Sequence, residues 1–128
     1  MSEIRVTTLK DTAGGNASTS ADIYSGRAKA WVNFNGSGTV AARASFNVNS
    51  INDLAVGNYG INFATALEDA NFSQVCQIEY ATTTTATTAL SNFYDPSEKT
   101  STSTKVRAGQ SESNTASDFA GLCVTVFR

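Results

Sequence analysis

The sequence predicts an all-β fold: an antiparallel β-sandwich of about seven short strands behind a short extended N-terminal arm. Three observations carry this. After residue 27, apolar residues recur with a period of two, as strands with one buried face require. Gly, Asn and Ser clusters punctuate these runs at strand-like intervals. No window of useful length shows a 3.6-residue period. At 128 residues the chain has room for a single core. The division falls near residue 27, with an arm over 1–27 and a β head over 28–128.

The elements follow in order. Ala30, Val32 and Phe34 alternate with Trp31, Asn33 and Asn35. Gly36-Ser37-Gly38 then offers a hairpin loop. Val40, Ala42, Ala44, Phe46 and Val48 form the longest alternation in the chain, predicting a second strand with that face on the core. Ser50-Ile51-Asn52-Asp53 reads as a turn, because Asn and Asp bond to nearby backbone. Tyr59, Ile61 and Phe63 share one strand face. Residues 64–70 read as a loop or one helical turn. Phe72, Gln74, Cys76, Ile78 and Tyr80 alternate next, with Val75 on the reverse face. The threonine-rich stretch 81–90 suits an edge strand or a polar loop.

Further along, Phe93-Tyr94-Asp95-Pro96 predicts a strand end and a turn, residues 97–104 an exposed loop, and 105–108 a resumed strand. Residues 110–118 are polar. Leu122, Val124 and Val126 close the chain on a strand, which must be paired inside a sheet to cover its apolar face. In the arm, Ile4, Val6 and Thr8 alternate briefly. Asp11, Asn16 and Asp22 read as turn formers in a small-residue stretch too poor in apolar surface to build a core.

Composition excludes several chemistries. Charged residues are 16% of the chain, against about 25% in an ordinary domain. Ser, Thr, Asn and Gly together supply about 41%, so the surface is polar through hydroxyls and amides. There is no histidine, which removes Ser-His-Asp and Cys-His catalysis and any His-ligated zinc or haem. A net charge of −2 gives no electrostatic footprint for nucleic acid. No apolar run is long enough to span a bilayer, and the N-terminus lacks a signal-peptide pattern. These features predict a soluble chain made in a cytoplasm, with no cofactor and no enzymatic role.

Two cysteines, Cys76 and Cys123, lie in strand-like runs. They read either as a disulfide between neighbouring strands or as two buried thiols, and a reducing compartment favours the thiols. Trp31, on the face away from Ala30, Val32 and Phe34, is either an oligomer contact or glycan platform, or part of a second buried layer. Arg43 interrupts an apolar strand and reads as a partner for Asp53, Glu68 or Asp69 across an interface, or as a solvated side chain. The adjacent carboxylates Glu68 and Asp69 lack calcium-loop spacing and do not face a common sugar as a glycosidase pair would. Candidate recognition loops hold Thr83, Thr84 and Thr85 in one segment and Ser101 and Thr102 in another.

The string Lys29-Ala30-Trp31-Val32-Asn33-Phe34-Asn35-Gly36 and its continuation to Val40 resemble a recurring domain of bacteriophage structural proteins often described as tail-fibre proteins. The resemblance runs on through Arg43 to Val48, Gly57 to Phe63 and Asp69 to Phe72, covering roughly residues 27–75. The opening Ser2-Glu3-Ile4-Arg5-Val6-Thr7-Thr8-Leu9 also resembles the start of such fibres. The resemblance implies a virion protein, commonly a homotrimer, mounted on another virion protein through the arm. Ile4, Arg5, Val6 and Leu9 are then the attachment residues, and Trp31 and Arg43 the contacts between heads. Long fibres carry a shaft before the head; about 27 residues here predict a short component.

A capsid decoration or head-fibre protein fits the same features. So does a soluble carbohydrate-binding module of another class, which would meet a host surface glycan through the exposed loops. Particle labelling separates the first two, and glycan binding tests the third.

Overall fold

The computed structural model describes residues 2–79, 89–91, 98–110 and 115–128, with 89–91 and 110 described by their backbone alone. The fold is all-β, with two antiparallel sheets packed together in a sandwich-like arrangement.

The head begins with β3 (Ala28–Asn35), whose Ala30, Val32 and Phe34 are buried. It turns through Gly36-Ser37-Gly38 into β4 (Ala41–Phe46), forming the expected hairpin. Asn47, at φ 53, then carries the chain into the second sheet. That left-handed conformation is tolerated by Asn, and the side chain fixes it. Asn47 Nδ2 donates to the carbonyls of Lys29 at 3.0 Å and Thr65 at 3.1 Å, while its Oδ1 accepts from the Thr65 amide at 2.7 Å.

In the second sheet β5 (Val48–Ala55) pairs with β6 (Asn58–Phe63), and β6 pairs with β9 (Ser103–Gln110). β8 (Ala89–Ser91) and β10 (Thr115–Ala116) flank the end of β9. The first sheet is completed by β7 (Ser73–Glu79) and β11 (Gly121–Phe127), in the order β4-β3-β11-β7. The C-terminal strand is therefore central, as a terminal apolar strand needs to be.

The core lies between the sheets. Val32, Phe34, Val124 and Val126 from one side meet Tyr59, Ile61 and Val106 from the other. Phe34 and Tyr59 pack edge to face at 5.2 Å, and Phe63 and Phe72 at 5.8 Å. Truncating a ring buried as completely as Phe34 costs about 3–5 kcal/mol. Gly57, at φ 65, allows its segment to pass against the backbone of Ala108 and Ser117, where an added Cβ would overlap main-chain atoms.

Several expectations are corrected. Residues 50–53 are not a turn but the middle of β5, with Ile51 opposite Ile61 on the core side. Asn52, opposite Gly60, lies on the outer face, while Asp53, opposite Tyr59, lies at the exposed end of the inner one, so neither is buried. Ser103 and Thr104 belong to β9, and Thr104 is buried with its hydroxyl donating to Gln74 Oε1 at 2.5 Å. Residues 115–116 form β10, inside the stretch read only as polar.

The arm is not extended throughout. β1 (Thr8–Leu9) pairs with β2 (Ser18–Thr19), and α1 (Ser20–Gly26) follows. Asp11 and Asn16 do form the connecting turn: Asp11 Oδ1 accepts from the Gly15 amide at 2.8 Å, and Asn16 Nδ2 donates to Oδ2 at 2.9 Å. Asp22 instead closes a capping box with Thr19, accepting from the Thr19 amide at 2.8 Å while its own amide donates to Thr19 Oγ1 at 3.1 Å.

Candidate functional site

The largest break in expectation creates the main candidate surface. In β4 the pairing with β3 slips by one residue between Asn33 and Phe34. Ala42 pairs with Phe34 on the core side, but Arg43 and Ala44 then both turn outward opposite Asn33. The extra residue inverts the remaining alternation, so Phe46 faces outward opposite Trp31 while Ser45 faces inward opposite Val32. The expected apolar inner face therefore loses Ala44 and Phe46; all of β4 is exposed, and Phe46 keeps 53% of its surface in solvent.

One row of side chains consequently crosses the outer face of the four-stranded sheet: Phe46, Trp31, Thr125 and Val75, each opposite the next. Trp31 is 38% exposed and Val75 56%. Trp31 thus lies on the outer side of the sheet, part-exposed, and not in the second buried layer that was its alternative reading. Beside this row, Arg43 lies across the face. Its Nη1 donates to Asn33 Oδ1 at 3.1 Å and stands 3.8 Å from Glu79, and its Nη2 donates to the Ala120 carbonyl. Within the chain, then, the carboxylate beside Arg43 is Glu79, not Asp53, Glu68 or Asp69. Asp69 is taken by Arg128 at 2.6 Å. The sheet face unites Trp31 and Arg43, and adds Phe46 and Val75, of which only the reversed face of Val75 was legible.

The arm residues are largely exposed. Ile4 is 89% exposed, and Val6 and Leu9 are about half exposed. Arg5 bonds locally, to Glu3 at 3.0 Å. Of the recognition loops, Thr83, Thr84 and Thr85 lie outside the described residues, as do residues 93–96. Thr102 is exposed and Ser101 half-buried. Both are anchored: the Ser101 carbonyl accepts from the Leu67 amide at 2.7 Å, and that of Thr102 from Phe63 at 2.8 Å.

Cys76 and Cys123 are not bonded to each other and are half-buried on neighbouring strands. Cys76 lies opposite Val124 on the core side, whereas Cys123 lies opposite Gln77 on the outer side, so the sheet separates the two sulfurs. The disulfide reading is excluded by this register. Cys123 Sγ donates to Glu79 Oε1 at 3.7 Å, and burial together with that carboxylate pushes its thiol pKa up.

A second concavity, about 490 Å³, opens between α1 and the head. Tyr24, Arg27, Lys29, Phe46, Leu67 and Glu68 line it, with Arg128 at its edge. Lys29 is buried, donates to the Tyr24 carbonyl, and its Nζ stands 3.5 Å from the Tyr24 ring centre; the Arg27 guanidinium stands 5.0 Å from the same ring. Burial, and then the charge of Arg27, hold the Lys29 pKa below its ordinary value.

Among the described residues no cluster of His, Cys, Asp or Glu is arranged to hold a metal, and no helix is long and apolar enough to cross a membrane. Fold and surface together define an antiparallel two-sheet β protein with an unburied aromatic sheet face and a projecting N-terminal segment. No protein-family model, curated protein or solved structure matches this chain.

Proposed function

We propose that the chain is a structural protein of a bacteriophage virion: a short tail-fibre-like component, homotrimeric, mounted on the particle through residues 1–27. The observation that carries the reading is the outward row Phe46–Trp31–Thr125–Val75. A contiguous aromatic and aliphatic face rimmed by Arg43 and Glu79 has the composition of an interface, with an apolar centre and a charged edge. Association of heads through this face covers Trp31, and the free edge of β4 beside it becomes protected from non-specific pairing. The exposed Ile4, Val6 and Leu9 supply the second contact, an extended segment able to add to a sheet edge of a neighbouring virion protein. The resemblance around residues 29–40 gives the biological setting.

The role is passive: the arm attaches, the heads associate, and no bond is made or broken. A particle reconstruction, or gold labelling of virions against this chain, tests it. Copies at the tail support the tail-fibre reading. Density on capsomers moves the chain to the capsid-decoration alternative, and absence from purified particles removes the virion reading altogether.

A further inference from the structure

The groove between α1 and the head lies apart from Ile4, Val6 and Leu9 of the arm, and its lining is chemically specific. Arg27 and Lys29 bring two cations to one ring, and among the described residues neither forms an ion pair with a carboxylate. Arg128, at the edge, is already charge-paired through both oxygens of Asp69, at 2.8 and 2.6 Å. Glu68 also lines the groove. A bare anion would gain from Arg27 and Lys29 and lose to Glu68. A neutral sugar would leave the two cations unused. Phe46 and Leu67 add an apolar wall, of the kind on which the C–H face of a pyranose packs. The volume suits a small-molecule ligand rather than a folded partner.

The geometry points to this groove as a binding site for an acidic sugar residue, its carboxylate held by Arg27 and Lys29, its hydroxyls donating to Glu68, and its apolar face against Phe46 and Leu67. The assignment does not depend on where, or whether, the chain is mounted on a particle. Binding removes the mutual repulsion of the Arg27 and Lys29 charges by placing a carboxylate beside them, and a charge-assisted contact to Arg is the strongest single interaction on offer. Phe46 stands at the border between groove and sheet face, so substitutions there would disturb both; Arg27 belongs to the groove alone.

The test uses the full chain, titrated with sodium glucuronate, glucose and sodium acetate while backbone amide resonances are followed by NMR. The expected result is a saturable shift of residues 24–29 and 64–68 with glucuronate, with glucose and acetate weaker by about tenfold or more. Arg27→Gln weakens glucuronate by about tenfold, Arg27→Lys restores part of the affinity, and resonances elsewhere stay in place. No saturable shift with glucuronate, equal binding of glucose, equal binding of acetate, or unchanged affinity in Arg27→Gln each overturns the assignment.

Discussion

The Tyr59 hydroxyl lies 2.8 Å from Asp118 Oδ1 and 2.7 Å from the Gly36 carbonyl, joining the core of one sheet to the loop that closes the first hairpin and to the segment before the last strand. The same Asp118 oxygen accepts from the Gly57 amide at 2.7 Å. A single phenol proton serves two acceptors, so the site favours the neutral phenol strongly. Burial first, then the hydrogen bond and charge of Asp118, push the Tyr59 pKa far above its usual 10.0. Stability from this group is therefore complete below pH 10 and declines as pH rises beyond it, because the unfolded chain ionises first. Ultraviolet titration should show one phenol that resists ionisation until the protein unfolds. Tyr59→Phe should abolish that signal and cost about 1–3 kcal/mol in chemical denaturation. Ionisation of all phenols near pH 10 without unfolding would contradict it.

At the acid end, Asp69 accepts from Arg128 Nε at 2.8 Å and Nη2 at 2.6 Å, and from the Asn71 amide at 2.7 Å. These bonds, those of Arg128 foremost, hold its pKa down to about 2, from 3.8. A depressed pKa contributes stability above the unfolded value that is lost as pH falls through the folded one. Denaturation curves at successive pH values should show wild type losing stability between 3.8 and about 2. Asp69→Asn should lose less across that window; superimposable curves would show that the pair does not contribute.

The thiols give a covalent check on the register of β7 and β11. A disulfide needs Cβ atoms about 3.8 Å apart on facing side chains, and Cys76 and Cys123 emerge from opposite faces. Alkylation of the denatured, unreduced protein should add two labels per chain by mass. In the native state Cys123 should react slowly, its thiolate disfavoured by burial and Glu79. A species that takes no label without reductant would require a different strand register.

Attachment and folding should separate genetically. Changing Ile4, Val6 and Leu9 to Ser removes apolar groups that touch solvent, so stability should move by less than about 0.5 kcal/mol. Incorporation into particles should fall sharply, measured by quantitative blotting of purified virions. Normal incorporation of the triple variant would place attachment elsewhere.

How much of this was legible in the sequence depends on what sets each side chain's direction. Period-two runs on β3, β6, β7 and β11 were readable because the sandwich buries one face of each. The period failed in β4, since one extra residue at Arg43 is invisible to alternation yet turns Phe46 to the opposite side. β5 was hidden because its turn-forming Asn52 and Asp53 lie where an edge strand stays exposed on both faces. α1 carried a readable signal in Thr19 and Asp22, three residues apart, although seven residues are too few for a periodicity. The groove had little: Arg27 and Lys29 are two residues apart in the chain, but Glu68, Phe46 and Leu67 join them only through tertiary packing.

The most direct test of the account is the mass of the purified full chain by sedimentation equilibrium at micromolar concentration. A trimer gives a particle three times the 13.4 kDa chain mass, reverting to single chains when Trp31→Ser polarises the centre of the outer row. A folded species of 13.4 kDa in the unsubstituted protein would contradict it.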